Sequence, residues 1–400
     1  MTKKNEKCGF ILRKMTIKMN NRLRIIIITQ DKCFCKEQFY KNQKRKSKTE
    51  QRMKKMKDSP DEKKQLPGGK ITIADVAEAL GVSKTTVSRA ISGKGRIGQE
   101  TRNRVMQYIE QYNYKPNHLA KGLANQKTYN LGWVVPGDYS FSDLPFFQNC
   151  LAGIIDYASS EDYDVVVAMG SNQDISQVER LVSNRKVDGI ILSRTMENDR
   201  VVSYLKEANI PFVAIGSLED TAVLQVDSDH RNACRELTCI LLLRGIRKLG
   251  LIGGSAKLVV NKSREAGFFD ALEQFSLKPD EELVALDIEG SLKCEQAVRK
   301  MLDRGVECIV CMDDSICATV IAILRKMGLT IPKDVKIASF YNSVFLESNT
   351  PSVTSLQFDS KQLGTVAART LLDKMNGDTV ENKTTLGYDV LLKESTENGK

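Results

Sequence analysis

Residues 71–90 read ITIADVAEALGVSKTTVSRA. Ile73, Val76, Ala77 and Leu80 recur three and four residues apart, which gives a helix one apolar face. Gly81-Val82-Ser83 breaks that pattern, and Ser83 is a good cap for a second helix running from Lys84 to about Ser92. In the second helix Val87, Ala90 and Ile91 point inward. Two short helices joined by a tight glycine turn make a helix-turn-helix, whose second helix offers its N-terminal side chains to the major groove of DNA. Lys84, Thr85, Ser88 and Arg89 lie on the outer side. Arg89 can bond the O6/N7 edge of guanine with both guanidinium nitrogens. Thr72, Ser83 and Thr86 suit phosphate oxygens. The bare pattern also fits a small helical core with a charged surface, so the residues around it matter.

Downstream, a third helix is expected from near Gln99, carrying Val105, Met106, Ile109 and Tyr112 inward. Pro116 ends that unit, and Asn117 opens another short helical stretch to about Asn125. From Tyr129 onward the texture changes. Short apolar runs at 131–135, 165–169, 189–192, 212–215, 249–252, 283–286, 308–312 and 336–340 alternate with helical patterns. Such alternation indicates parallel sheets covered by helices on both faces. The expected fold is therefore α/β: an all-α headpiece, then a core of two lobes of doubly wound parallel sheet with a cleft between them.

Upstream, residues 1–69 read as an unstructured basic tail. Its last part, KNQKRKSKTEQRMKKMKDSPDEKKQLPGG, is dense in charge and almost without apolar residues. Residues 1–70 carry 22 Lys/Arg against 7 Asp/Glu, residues 71–128 carry 9 against 4, and the remainder 29 against 39. A basic front on an acidic body suits a nucleic-acid-binding front whose body is kept off the phosphates. The boundaries are set at 1–69 for the tail, 70–115 for the headpiece, 116–128 for a hinge and 129–400 for the core. Two readings of the tail stand. Either translation starts at Met53 or Met56, which an intact mass near 44.7 kDa would refute, or the tail adds sequence-blind affinity for DNA.

Other classes are poorly served. No apolar run reaches the roughly 18 residues a membrane helix needs, and no secretory signal is evident, so the chain is read as cytoplasmic. Cys234, Cys239, Cys308, Cys311 and Cys317 sit in apolar segments, as small buried hydrophobes do. Cys308 and Cys311 form a CxxC with no second pair or nearby histidine, and Cys33 and Cys35 are no more persuasive; neither metal nor cofactor is expected. An α/β enzyme with a DNA-binding front is the rival class. Gly253-Gly254 follow a strand without completing a nucleotide-binding glycine motif. The chain holds only two histidines, which leaves little for histidine-based catalysis. His118 falls in the hinge, and His230 is expected on the surface in a loop. No enzymatic activity is expected.

Residues 72–92, TIADVAEALGVSKTTVSRAIS, and 100–123, ETRNRVMQYIEQYNYKPNHLAKGL, resemble the fingerprint of the lactose/galactose-repressor family, and the resemblance extends to about Thr396. It implies that Lys84, Thr85 and Arg89 read bases. It also implies that 117–124 forms a hinge helix folding in the minor groove of operator DNA. Leu123 would wedge between base steps, helped by Asn117, Ala120 and Lys121. Ser92 stands where Asn is usual, Gly98 where Ser is usual, and Lys121 where Arg is commoner. Gly122 costs such a helix about 1 kcal/mol relative to Ala.

The resemblance further implies a homodimeric repressor of carbohydrate-utilisation genes, with double-stranded operator DNA and a small effector, expected to be a sugar, as partners. DLPFFQNCLAGI places Phe146 and Phe147 at the edge of an effector pocket, with plain core packing as the alternative for Phe147. SREAGFFDAL makes Arg264 the polar clamp, unless it only pins a helix. CMDDSICATVIAILRKMGLTIPKDVKIASF turns Asp313 to the ligand, with Asp314 in support. At SFYNS, Tyr341 stands where most members carry an Asp that grips ligand hydroxyls. That motif is closer to maltose-type repressors of Gram-positive bacteria, which NLGWVVP and IPKDV fit loosely. A maltose-like effector, an unusual effector, or none all remain open. So does a co-repressor-dependent regulator docking a phosphorylated carrier protein, although no residue singles out a docking patch.

Overall fold

The computed structural model describes residues 71–93, 95–114, 122–123, 125–137 and 145–397. The tail and Asn117, His118, Ala120 and Lys121 lie outside them. The chain divides into two compact units between Tyr114 and Lys115.

The first unit holds α1 (Ile73–Leu80), α2 (Lys84–Ser92) and α3 (Gln99–Gln111) around Val76, Ala77, Val87, Ala90, Val105 and Tyr114. Thr72 and Asp75 form a reciprocal capping box at the start of α1. Gly81 ends α1 at φ 64°, a left-handed conformation that side chains with a Cβ rarely adopt. Ser83 then caps α2 by accepting from the Thr86 amide at 3.1 Å. Met106 and Tyr112, expected inward, are exposed, because α3 packs only a narrow stripe centred on Val105.

The second unit is a pair of doubly wound lobes. Lobe 1 runs β1 (Asn130–Pro136), α4 (Pro145–Ser160), β2 (Asp164–Gly170), α5 (Ser176–Ser183), β3 (Gly189–Leu192), α6 (Arg200–Glu207), β4 (Phe212–Ile215) and β5 (Leu224–Ser228). Lobe 2 runs α7 (His230–Leu243), β6 (Leu249–Ile252), α8 (Val259–Gln274), β7 (Val284–Ala285), α9 (Gly290–Asp303), β8 (Cys308–Cys311), α10 (Asp314–Lys326), β9 (Lys336–Ser339), α11 (Val344–Ser348) and β10 (Thr354–Gln357). The chain then returns to lobe 1 as α12 (Ser360–Asn376) and β11 (Lys383–Leu386), and ends in lobe 2 as β12 (Asp389–Leu391). The strand orders are β11-β5-β4-β3-β1-β2 and β12-β10-β9-β8-β6-β7. Every pairing is parallel except that of β10 with β12. Each sheet buries an apolar cluster on both faces, which is why its central strands read as continuous apolar runs.

Three crossovers join the lobes: β5 into α7, β10 into α12, and β11 into β12. The strands that flank them, β5, β10, β11 and β12, are the ones the apolar pattern misses. β5 (LQVDS) is buried throughout, yet Gln225 and Asp227 spoil its apolar run. The Gln225 side chain is satisfied by the loop just before its strand, accepting from the Leu218 amide at 2.9 Å and donating to the Asp220 carbonyl at 2.8 Å. Lobe 1 is completed late in the chain, when α12 packs on α4. The two helices approach closely at facing glycines: a Cβ on Gly153 would lie 2.0 Å from the Lys361 carbonyl oxygen, and one on Gly364 would lie 2.1 Å from that of Cys150.

Candidate functional site

On α2, Ser83, Lys84, Thr85, Ser88 and Arg89 are exposed, and Thr86 is half-buried beneath them. Val87 and Ala90 anchor the opposite face. The outer face therefore carries two cations and several hydroxyls, with no acidic side chain in the helix. That is the chemistry of a surface that meets base edges and phosphates. Three of the hydroxyls expected to face DNA already have local work. Ser83 Oγ lies 2.9 Å from Thr86 Oγ1, and Thr72 Oγ1 donates to Asp75 at 2.8 Å. The Asp75 carboxyl is held below its usual range by those Thr72 hydrogen bonds, the backbone one first. Leu123, the expected wedge, is 85% exposed.

The core offers a different arrangement. In open α/β sheets, ligands bind beyond the carboxyl ends of strands, and here segments leaving those ends in the two lobes meet. Phe146, at the start of α4, packs edge-on against Tyr341 beyond β9, with ring centres 6.2 Å apart. Phe147 turns away into the lobe 1 core. Tyr341 stacks on Phe358 of the second crossover at 6.3 Å, and its hydroxyl lies 3.2 Å from Ser360 Oγ. Burial pushes that phenol up to about 12.

Arg264 is 8% exposed. Its Nη1 donates to the Met312 carbonyl at 2.7 Å, while its Nε is buried with no hydrogen-bond partner among the described residues. Asp313 follows Met312 and caps α10, accepting from the Ile316 amide at 2.7 Å. Its carboxyl is raised by burial, against the pull of that amide and of Arg264. Asp227, at the end of β5, is also raised by burial; it accepts from Ser217 Oγ and the Ser228 amide, each at 2.8 Å.

His230 corrects the surface expectation: it is 8% exposed and opens α7. Its Nε2 lies 3.6 Å from Asp227, and its ring centre is 4.5 Å from that of Phe358. Burial, then the Arg264 charge, drives its pKa well below the usual imidazole range, so it is neutral. Asp227 and His230 were missed as candidates. Asp229 caps α7 through the Asn232 amide, so a helix start was readable there and would have lifted His230 out of a loop.

The fold thus gathers Phe146, Arg264, Asp313 and Tyr341 with Asp227 and His230 beside the crossovers, and gives Phe147 a core position. A separate shallow pocket at the ends of β1, β2 and β3 is lined by Pro136, Gly170, Asn172, Ser193, Arg194 and Asp199; none of the expected effector residues reaches it. Among the described residues no His, Cys, Asp and Glu cluster could hold a metal. No helix there is long and apolar enough to cross a membrane.

Comparison with known proteins agrees with this layout. Residues 72–117 match the model for bacterial regulatory proteins of the lacI family. Residues 128–392 match that for periplasmic binding proteins and the sugar-binding domain of the same family. The HTH-type transcriptional regulator MalR of Streptococcus pneumoniae is 31% identical over 319 residues, covering 78% of this chain and 95% of the relative. A solved complex of the transcriptional regulator CelR with cellobiose is 27% identical, with TM-score 0.62, covering 81% of this chain and 99% of that one. The lac repressor dimer bound to operator and an anti-inducer shares the fold at 22% identity and TM-score 0.67, covering 82% and 99%. The chain belongs to the LacI family of bacterial regulatory proteins, sugar-responsive DNA-binding transcriptional regulators rather than enzymes.

Proposed function

We propose that this chain is a cytoplasmic, homodimeric repressor of carbohydrate-utilisation genes, whose grip on operator DNA is set by a sugar bound between its lobes. Lys84, Thr85, Ser88 and Arg89 read bases, with Thr72, Ser83 and Thr86 toward phosphates. Asn117, Ala120, Lys121 and Leu123 form the hinge contact in the minor groove. The dimer reading is supported by apolar side chains left exposed on both lobes, Ile155, Val167 and Met169 on one and Val344 and Phe345 on the other. It is also supported by the dimeric state of the operator-bound lac repressor.

The observation that carries the sensing half is Arg264. A buried guanidinium with an unpartnered Nε costs the fold free energy unless a ligand group meets it. Phe146 and Tyr341 beside it offer aromatic surface to a sugar ring, Asp313 adds an acceptor, and Phe147 backs Phe146 from the core. With Tyr341 replacing a carboxylate, the ligand is held more by stacking than by charge. A disaccharide of the maltose type is the first candidate, in keeping with the MalR relative and with the disaccharide in the CelR complex. Ligand binding changes lobe closure, and operator affinity follows by linkage.

The test is a titration of the protein against its own promoter region at fixed salt, with and without maltose, cellobiose and related sugars. Tight binding to a pseudo-palindrome, changed severalfold by one sugar, is expected. Weak, salt-sensitive binding blind to sequence would overturn the reading.

A further inference from the structure

Away from the crossovers, the lobes touch through their main chains. The crossovers leave lobe 1 along β5 and β11; the strip Thr195-Met196-Glu197 follows β3, two strands further across the sheet. It pairs antiparallel with Lys257-Leu258-Val259, the lobe 2 segment that enters α8, with Met196 opposite Leu258. The Glu197 amide donates to the Lys257 carbonyl at 3.2 Å, and the Val259 amide donates to the Thr195 carbonyl at 3.4 Å. Glu197 also forms an ion pair with Lys262, one turn into α8.

The second of these bonds matters most. A helix leaves its first amides without intrahelical partners, and a side chain usually caps one of them. Leu258 occupies the cap position of α8 and supplies no side-chain cap. The carbonyl of Thr195, from the other lobe, stands in for it. Helix α8 is also the element that carries Arg264. The Asn261 and Lys262 amides donate to the Leu258 carbonyl within lobe 2, at 3.0 and 3.3 Å, so it is the Val259 amide whose partner is present only while the lobes are together.

We propose that Thr195–Glu197 is an interlobe latch and positioning element. On lobe closure it supplies the partner of the first amide of α8, the helix that carries Arg264, and on lobe opening it leaves that amide unpaired. The latch itself stands on main-chain geometry; only its use in sensing rests on the reading of Arg264 as a ligand contact. Binding at Arg264 and lobe closure then favour each other, because the capped helix holds the guanidinium where the ligand meets it.

Val259→Pro tests this in the full chain. Proline suits the first position of a helix and removes only the amide that Thr195 accepts. Leu258, at φ −78° and ψ 125°, already has the backbone a residue before proline requires. Amide hydrogen exchange is followed without ligand. The Glu197 amide in lobe 1 and the amides of 261–264 in lobe 2 should exchange about fivefold faster, as expected for loss of one hydrogen bond. Unchanged exchange at Glu197 overturns the proposal.

If Val259→Pro does not fold, a charge swap decides. Glu197→Lys and Lys262→Glu should each speed exchange at Glu197 by up to about threefold, the range of an exposed ion pair. The double variant should return it to the wild-type rate. A double variant as fast as the singles overturns the proposal. Because no ligand is present, failure here is distinct from failure of the sugar-sensing reading, which an Arg264→Ala titration with maltose tests on its own.

Discussion

On α2, Lys84, Thr85, Ser88 and Arg89 stand within two helical turns and are all exposed. In the interlobe crevice, Asp227, His230, Arg264 and Tyr341 come from segments spread over residues 227–341 and are all buried. In the proposed function the exposed α2 side chains exchange water for DNA and owe little to the fold, so removing one should cost function alone. A buried polar group has lost its water before any ligand arrives, so it is tied to the stability of the core as well as to binding. Stability and function should therefore separate in the headpiece and move together in the crevice.

The largest expected effect is at Arg264. Arg264→Ala removes a charged donor to the Met312 carbonyl and the unpartnered Nε. It should weaken any sugar response about 30-fold or more, and it should lower the unfolding midpoint. An unchanged midpoint with lost response would place Arg264 with the surface readers and break the comparison. Next, Arg89→Ala should weaken operator binding roughly 10- to 100-fold and relax preference at one base pair, with the unfolding midpoint unmoved. A lower midpoint would mean that Arg89 serves the fold as well.

His230 gives the crevice a pH signature. Its folded pKa lies well below the unfolded value near 6.5, so its neutral form is the native one. Below about pH 6.5 the unfolded chain binds a proton that the folded chain excludes. Stability is therefore complete above that pH and falls as the pH drops, by at most about 1.4 kcal/mol per pH unit. Comparing urea unfolding of wild type and His230→Gln from pH 7.5 to 5.5 checks this. Equal slopes would show that His230 does not set the dependence.

A smaller effect sharpens the headpiece side. Thr72→Ala breaks the capping box and should cost about 1 kcal/mol of headpiece stability. Operator binding should fall only as far as folding does. A loss well beyond that, with the headpiece still folded, would give Thr72 a direct phosphate contact. Of similar size, Tyr341→Phe removes the hydroxyl that meets Ser360 and should lower the free energy of urea unfolding by about 0.5–1.5 kcal/mol, leaving the stack on Phe358 intact.

The headpiece was legible because each of its signals is local. Thr72, Gly81 and Ser83 mark helix ends by their own backbone chemistry, and Val76, Ala77, Val87 and Ala90 mark the buried faces by spacing. Met106 escaped because α3 packs along a single stripe, and spacing alone does not say how wide that stripe is. The parallel lobes were legible for the same reason: apolar runs such as Gly189–Leu192 and Cys308–Cys311 are buried on both faces and look it.

The crossover strands were not legible, since Gln225, Asp227, Thr354 and Ser355 are polar and yet buried. Thr354 Oγ1 donates to the Lys393 carbonyl at 3.0 Å, and Ser355 Oγ donates to Asn342 at 3.0 Å. The burial of His230, the separation of Phe146 from Phe147, and the cap lent by Thr195 to α8 belong to the same class. What the sequence determined by itself was the fold class and the outer face of α2, because periodicity, caps and turns act between near neighbours; the family came from the resemblance of residues 72–92 and 100–123 to a known fingerprint. What only the tertiary structure decided was which polar side chains lie in the crevice and what holds them, because a buried polar group must be given partners, and those of Arg264, Thr354 and Ser355 come from segments the sequence does not place beside them.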